Sequence, residues 1–196
     1  MPEYKKEWMQ KANIDYFSPF VSLWLGFNSW FRSHYCEIEP KNDRNFINTL
    51  KTDTSARNKI LENFKNLMSE DKIKENIRFK SDLESLIYSL NRVDLRNPDQ
   101  SKYKQVIKFE TALIDYSRKD DNSAYINLLR EKGDRNKIQL DEKYVLDDLN
   151  ILCAGLIEIL YQIRCLLIHG NLEPEEENHE VIKYCYFILY ALMDES

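Results

Sequence analysis

The chain has 196 residues, of which 43% are hydrophobic and 31% are charged, a composition typical of one soluble domain with its own core. Its formal net charge of −5 argues against a broad basic surface for nucleic acid, so any contact with RNA must be local or come from a partner. Only 4 Gly and 5 Pro argue against a turn-rich all-β fold. No run of about 18 apolar residues is present, which predicts that no segment spans a membrane.

The cysteines indicate a reducing environment. The four cysteines include no Cys-x-x-Cys pair, and the first residues lack the pattern of a signal peptide. Cys153, Cys165 and Cys185 fall on apolar helical patterns, which is typical of buried free thiols. We therefore expect a cytoplasmic protein.

Spacings of three and four between apolar residues predict helices along most of the chain. We expect a short helix or arm over 3–15, an aromatic-faced helix from Ser18-Pro19, one or two helices over 43–68 and a helix capped by Ser81 that ends before Asn97. If 43–68 forms two helices, the residues around Thr52-Asp53-Thr54 separate them.

Residues 99–140 give an ambiguous pattern. Alternation over 103–109 suggests a strand, whereas the apolar spacing from Val106 to Tyr116 fits a helix equally well. A strand would need a partner that the rest of the pattern does not offer, so we favour a helix. The segment also contains a local basic cluster, which is either a solvated face or an RNA contact, formed by Lys102, Lys104 and Lys108.

A long helix is predicted over 145–169, with an apolar stripe that runs from Leu149 to Leu167. Gly170 ends it, an acidic loop follows, and a last amphipathic helix packs antiparallel to it. The predicted fold class is all-α, an up-and-down helical bundle in a single domain over 1–196, with a poorly readable insertion at about 99–140.

The end of this long helix carries the candidate chemistry. Arg164 can neutralise a phosphate and donate two parallel hydrogen bonds to it. His169 can carry a proton in either direction near neutral pH. Residues five apart lie about 140° round an ideal helix, but a frayed or tightened last turn before Gly170 would let the ring of His169 swing toward Arg164. The alternative is a surface arginine and a capping histidine.

The pattern Arg-x4-His-Gly, at the end of an apolar helix and followed by an acidic loop and a final helix, resembles the HEPN family. The stretch Phe20-Val21-Ser22-Leu23-Trp24-Leu25-Gly26-Phe27-Asn28 resembles the first core helix of several HEPN proteins. These are small all-α domains, and many are metal-independent ribonucleases with an Arg-x4–6-His motif. The resemblance covers roughly 17–35 and 145–193.

The resemblance implies an endoribonuclease that leaves a 2′,3′-cyclic phosphate and a 5′-OH, with His169 as the proton carrier and Arg164 at the phosphate oxygens. It implies a homodimer, RNA as substrate, and service as a toxin or anti-phage effector that an antitoxin or other regulatory protein restrains. Supporting residues would be Asn28, Cys165 and Asn171. The family often has a polar residue after the arginine, where this chain has Cys165.

Two rival interpretations remain open. Cys165 favours a non-catalytic, dimeric HEPN-like module that binds a protein or RNA partner, and a plain structural helical domain is the third possibility. Asn28 is either a satisfied core or rim amide or a residue that orients the motif.

Metal and nucleotide chemistry is not expected. The candidate zinc ligands lack the spacing of a structural site, and no glycine-rich phosphate loop is present. These candidates are His34, Cys36, His169 and His179.

Overall fold

A computed structural model describes residues 15–39, 41–70, 73–96 and 106–194. Most of the expected arm over 3–15 and two of the three clustered lysines, Lys102 and Lys104, lie outside the described residues. The helix expected to end before Asn97-Pro98 ends at Arg92, as predicted.

The described residues form six α-helices and five short strands. The helices are α1 Phe17–His34, α2 Asp43–Thr52, α3 Lys59–Met68, α4 Lys74–Arg92, α5 Leu149–Ile168 and α6 Glu176–Met193. The strands all lie between α4 and α5, and they are β1 Ala112–Leu113, β2 Tyr125–Ile126, β3 Leu129–Arg130, β4 Lys137–Gln139 and β5 Tyr144–Leu146.

The prediction of an all-α, up-and-down bundle is wrong. Strands β1 and β2 form a two-stranded antiparallel sheet, and β5 lies between β3 and β4 in a three-stranded antiparallel sheet. The helix favoured for the ambiguous segment is also wrong, because its strands find their partners inside the segment itself. A local hairpin joins β4 to β5, so no partner from the helical part of the chain is needed.

The segment that carries the sheets belongs to the core and is not a peripheral insertion. Leu128 and Val145 are fully buried in the same hydrophobic cluster as the helices. A Cβ atom on Gly155 of α5 would lie 2.5 Å from Cδ1 of Leu128, so the buried side chain of Leu128 would have to shift if any other residue stood there. The sheets therefore pack directly on the central helix.

Helix α5 is the centre of the fold, and its neighbours include α2, α3 and β1. By length and composition it could cross a membrane, because its most apolar 18 residues have a mean hydropathy of 2.0. Of that 18-residue stretch, however, 72% is buried inside the protein. This is the burial of a core helix and is compatible with a soluble protein. Helix α6 packs chiefly on α4 and α1, and α5 is not its main partner.

Several helical predictions are confirmed. The aromatic face of α1 is buried through Phe20, Trp24, Phe27 and Phe31. Helix α2 ends at Thr52, where the separation from α3 was expected. The prediction that Ser81 caps a helix is wrong, because α4 begins at Lys74 and Ser81 lies inside it.

Glu84 of α4 fixes the hairpin between β4 and β5. Its buried carboxylate accepts backbone N–H hydrogen bonds from Asp141, Glu142 and Lys143 at 3.0, 2.9 and 2.6 Å. Hydrogen bonds to a charged group are stronger than neutral ones, and three converge here. The carboxylate therefore ties the three-stranded sheet to the helical part of the fold.

Replacing Glu84 with Gln should lower the free energy of unfolding by about 2–4 kcal/mol, because an uncharged amide offers a single acceptor oxygen to three part-buried backbone donors. Urea unfolding followed by far-UV circular dichroism measures the change. Glu62→Gln is the matched control, because that carboxylate is half exposed in a surface pair with Lys59, and it should cost less than about 0.5 kcal/mol. Equal costs in the two variants would contradict this role of Glu84.

Candidate functional site

Helix α5 ends immediately before its capping residue His169 and Gly170, and Gly170 terminates it as the sequence predicted, in the left-handed conformation with φ 67°. The N–H of Gly170 donates to the Leu167 carbonyl at 3.2 Å, and the N–H of Asn171 donates to the Leu166 carbonyl at 2.9 Å. These two bonds form a Schellman motif and satisfy carbonyls at the helix end.

The expected meeting of His169 with Arg164 does not occur within one chain. The N–H of His169 still bonds to the Cys165 carbonyl at 3.0 Å, so the last turn is neither frayed nor tightened. The two side chains therefore leave the helix about 140° apart. The imidazole of His169 is exposed and makes no hydrogen bond with the described residues.

Arg164 is held by Asp43, a partner that the sequence analysis did not identify. Its Nη2 donates to Oδ2 of Asp43 at 3.0 Å, and Arg32 donates to Oδ1 of the same carboxylate at 2.9 Å. Asp43 is the first residue of α2, where the helix dipole favours a negative charge. Two arginines and one aspartate give this cluster a net positive charge in an acidic protein.

Two buried donors beside this cluster lack an acceptor among the described residues. They are Nε of Arg164 and Nε1 of Trp24. The guanidinium carbon of Arg164 lies 5.8 Å from the centroid of the Trp24 ring. A buried N–H without an acceptor is costly, about 1–3 kcal/mol, so such groups call for an explanation.

The supporting residues are distributed unequally around Arg164. Asn28 is half-buried on α1, one helical turn from both Trp24 and Arg32, and so lies on the face that meets the cluster. Cys165 is half-buried beside Tyr161; burial raises the pKa of that phenol, and the neighbouring thiol acts in the same direction. Asn171 is exposed and lines a separate open groove with acidic residues of the 173–177 loop.

A second charged cluster, which the sequence analysis missed, lies deeper against α5. The fully buried carboxylate of Glu158 accepts from Nη1 of Arg44 at 2.9 and 2.8 Å and from Nζ of Lys51 at 2.7 Å. The Arg44 guanidinium lies between the rings of Tyr116 and Tyr161, 3.8 and 4.2 Å from their centroids. A glutamate alone in an apolar run, Ile157-Glu158-Ile159, was the signal that could have revealed it.

The charges of this buried cluster explain its pKa values. Burial by itself would raise the pKa of Glu158, but Lys51 and Arg44 outweigh it and hold the pKa below its ordinary value. Burial lowers the pKa of Lys51, and the attraction of Glu158 opposes that change. One carboxylate thus compensates two cations, which makes it indispensable to both.

Two of the histidines that the sequence analysis considered and rejected as zinc ligands make structural hydrogen bonds. Nε2 of His179 accepts the backbone N–H of Tyr16 at 3.1 Å, and Nε2 of His34 is hydrogen-bonded to the Arg57 carbonyl at 3.1 Å. Within the described part of the chain, no three His, Cys, Asp or Glu side chains are grouped as metal ligands.

Comparisons of the chain with protein-family models, with curated proteins and with solved structures return no match. The assignment of a function therefore rests on the geometry of the Arg164 cluster, on the exposed His169 and on the resemblance of the motif.

Replacing Glu158 with Gln should destabilise the protein by about 3–5 kcal/mol, because two buried cations lose their shared counter-charge. The pKa of Glu158 is lower in the folded protein than its ordinary value of 4.5, which gives the sign of the pH dependence. The stabilisation that the Glu158 carboxylate provides is complete above pH 4.5, and it is lost as the pH falls through the pKa of Glu158 in the folded protein. Urea unfolding of both proteins between pH 3 and 7 measures this. Glu180→Gln is the control, because the side chain of Glu180 is 40% exposed in a surface pair with Arg92. A difference in unfolding free energy between wild type and Glu158→Gln that does not narrow in acid would contradict the argument.

Proposed function

We propose that the protein is a metal-independent endoribonuclease of HEPN type. In this reaction His169 accepts the proton of a ribose 2′-OH or donates one to the 5′-leaving oxygen. Arg164 binds the non-bridging phosphate oxygens, on which negative charge grows in the transition state. The attacking 2′-oxygen belongs to the RNA itself, so the products are a 2′,3′-cyclic phosphate and a 5′-OH.

One observation carries the proposal: at the end of α5 lies an exposed imidazole that makes no hydrogen bond with the described residues, and five residues earlier lies an arginine in a positively charged cluster. Arg32, Arg164 and Asp43 sum to one positive charge, whereas the whole chain has a net charge of −5. A local positive charge attracts a phosphate even when the rest of the surface repels it.

A homodimer is part of the proposal, because Arg164 and His169 do not form a pair within one chain. A second copy related by a two-fold axis would bring two α5 ends to one cleft and concentrate their positive charge. Ile168, beside His169, is a large apolar side chain that is 45% exposed in the single chain. Such a residue at a helix end suits an interface between copies.

The proposed setting is the cytoplasm, where free thiols persist. All four cysteines are unpaired, and Cys153 and Cys185 are buried. Burial raises the pKa of the Cys153 thiol to about 12, which keeps it unreactive. There the enzyme would act as a toxin or anti-phage effector, restrained by an antitoxin or another regulatory protein. Expression that arrests growth in wild type but not in His169→Ala would support this role.

A non-catalytic, dimeric HEPN-like module that binds a protein or RNA partner is the second candidate. The observation that favours it is the ion pair between Arg164 and Asp43, whose side chains are 3.0 Å apart, because it already neutralises the charge of Arg164. In that case the ion pair of Arg164 and Asp43 would stabilise the packing of α2 on α5, and Arg164 would not bind an RNA phosphate.

Purified protein should cleave total RNA in EDTA. His169→Ala should lower the rate about 10²–10⁴-fold, because proton transfer is lost. Arg164→Ala should lower it on the order of 10²–10³-fold, because a charge-stabilising donor is lost. Gel analysis of the products with end-group chemistry measures both rate and termini.

Arg78→Ala is the matched arginine control, because Arg78 is 66% exposed and pairs only loosely with Asp82 at 3.7 Å. It should cleave RNA at the wild-type rate. Cleavage by His169→Ala at the wild-type rate would refute the assignment of the chemistry to this motif. If wild type cleaves no RNA, the binding module becomes the leading interpretation.

Light scattering at tens of micromolar should give about 47 kDa, twice the 23.5 kDa of one chain. Ile168→Asp should shift the mass toward the monomer, because a charge would be buried at the interface. Ile73→Asp is the control, because Ile73 is 56% exposed at the start of α4, away from the motif. A wild-type monomer at these concentrations would contradict the dimer.

A further inference from the structure

The Arg164 cluster contains its own anion. Each oxygen of the Asp43 carboxylate accepts from a different arginine, Arg164 at 3.0 Å and Arg32 at 2.9 Å. Arginine forks bind carboxylate and phosphate with the same planar geometry. A phosphate that binds Nη2 of Arg164 therefore competes with this carboxylate for the same donor.

We propose that Asp43 is an intramolecular competitor for a phosphate site at Arg164, and that Arg32 holds the aspartate when Arg164 is released. The inference rests on the phosphate-binding role of Arg164 in the proposed function and adds its regulation. The free chain is then in an inhibited state, and a phosphate group exchanges places with Asp43 at the guanidinium.

The donors left over at Arg164 support a ligand with more acceptor atoms than Asp43 supplies. Among the described residues Arg164 uses only Nη2 for a hydrogen bond, and its Nε is buried without an acceptor. The indole Nε1 of Trp24, a residue 1% exposed, also lacks an acceptor. One of the two Asp43 oxygens accepts from Arg32, so only the other serves Arg164. A phosphate group brings at least two non-bridging oxygens, so exchange of the anion can satisfy a donor that Asp43 leaves unbonded.

The surroundings of Asp43 make its release feasible. The carboxylate lies in the first turn of α2, where the backbone dipole stabilises a negative charge without help from Arg164. The side chain of Arg32 is 47% exposed, so the protein does not enclose its guanidinium. The neighbouring Glu158 cluster has no such alternative, because its carboxylate is fully buried between Arg44 and Lys51.

The test is titration of the purified protein with inorganic pyrophosphate, followed by the indole N–H resonance of Trp24, which Trp24→Phe assigns. Asp43→Asn should bind pyrophosphate about five- to tenfold more tightly than wild type, the strength of one ion pair. The added substitution Arg164→Ala should abolish the gain. Glu39→Gln is the charge-matched control, because it removes one negative charge nearby from a carboxylate 70% exposed beside Lys41, and it should change the affinity less than about twofold.

Arg32→Ala is a second, independent variant that keeps Asp43. Without Arg32, Asp43 has only Arg164 as an arginine partner and competes more strongly for it. The variant should therefore bind pyrophosphate about fivefold more weakly than wild type. The inference is overturned if Asp43→Asn gains no more than Glu39→Gln, if the gain survives Arg164→Ala, or if Arg32→Ala binds more tightly than wild type.

RNA cleavage measured on the same proteins separates this inference from the proposed function. If wild type cleaves RNA while Asp43→Asn shows no gain in pyrophosphate affinity, the competitor is refuted and the ribonuclease stands. If the gain appears but no variant cleaves RNA, the ribonuclease is refuted, and Asp43 still competes for a phosphate site.

Discussion

The carboxylate of Glu158 is the charge on which the arrangement of the helices depends. It lies in the middle of α5, fully buried, and receives Arg44 and Lys51 from the two ends of α2. A buried charge is tolerated only when its partners are placed well, so this one carboxylate fixes how α2 lies along α5. Apolar packing alone allows neighbouring helices to slide, whereas two ion pairs to one acceptor do not.

The same constraint positions the candidate site. Asp43 and Arg44 are consecutive residues, and they form ion pairs of opposite polarity with Arg164 and Glu158 of α5. The buried pair sets the register, and the outer pair follows from it. Arg164 is thus presented near the surface in a fixed place, while the Schellman motif at Gly170 leaves His169 exposed beyond it.

Local patterns in the sequence predicted what depends on local physics. Gly170 as the residue after the helix and the aromatic face of α1 follow from spacing alone. The sheets did not, because strands of two or three residues are too short to show alternation. The Asp43–Arg164 and Arg44–Glu158 pairs also escaped, since each joins residues more than a hundred positions apart. A single glutamate within an apolar helix was a usable signal, but the sequence could not identify its partners.

The contact between Leu128 and Gly155 means that the six helices do not constitute a separable module. The side chain of Leu128 packs on the backbone of α5 at Gly155, which has no side chain of its own, and the side chain of Ala112 lies close to the same position. A shortened chain that joined α4 directly to α5 would leave this bare backbone facing water along the most apolar helix of the protein. The segment between α4 and α5, whose sequence is the hardest to interpret, thus shields the central helix from water. A minimal version of this fold must retain that segment.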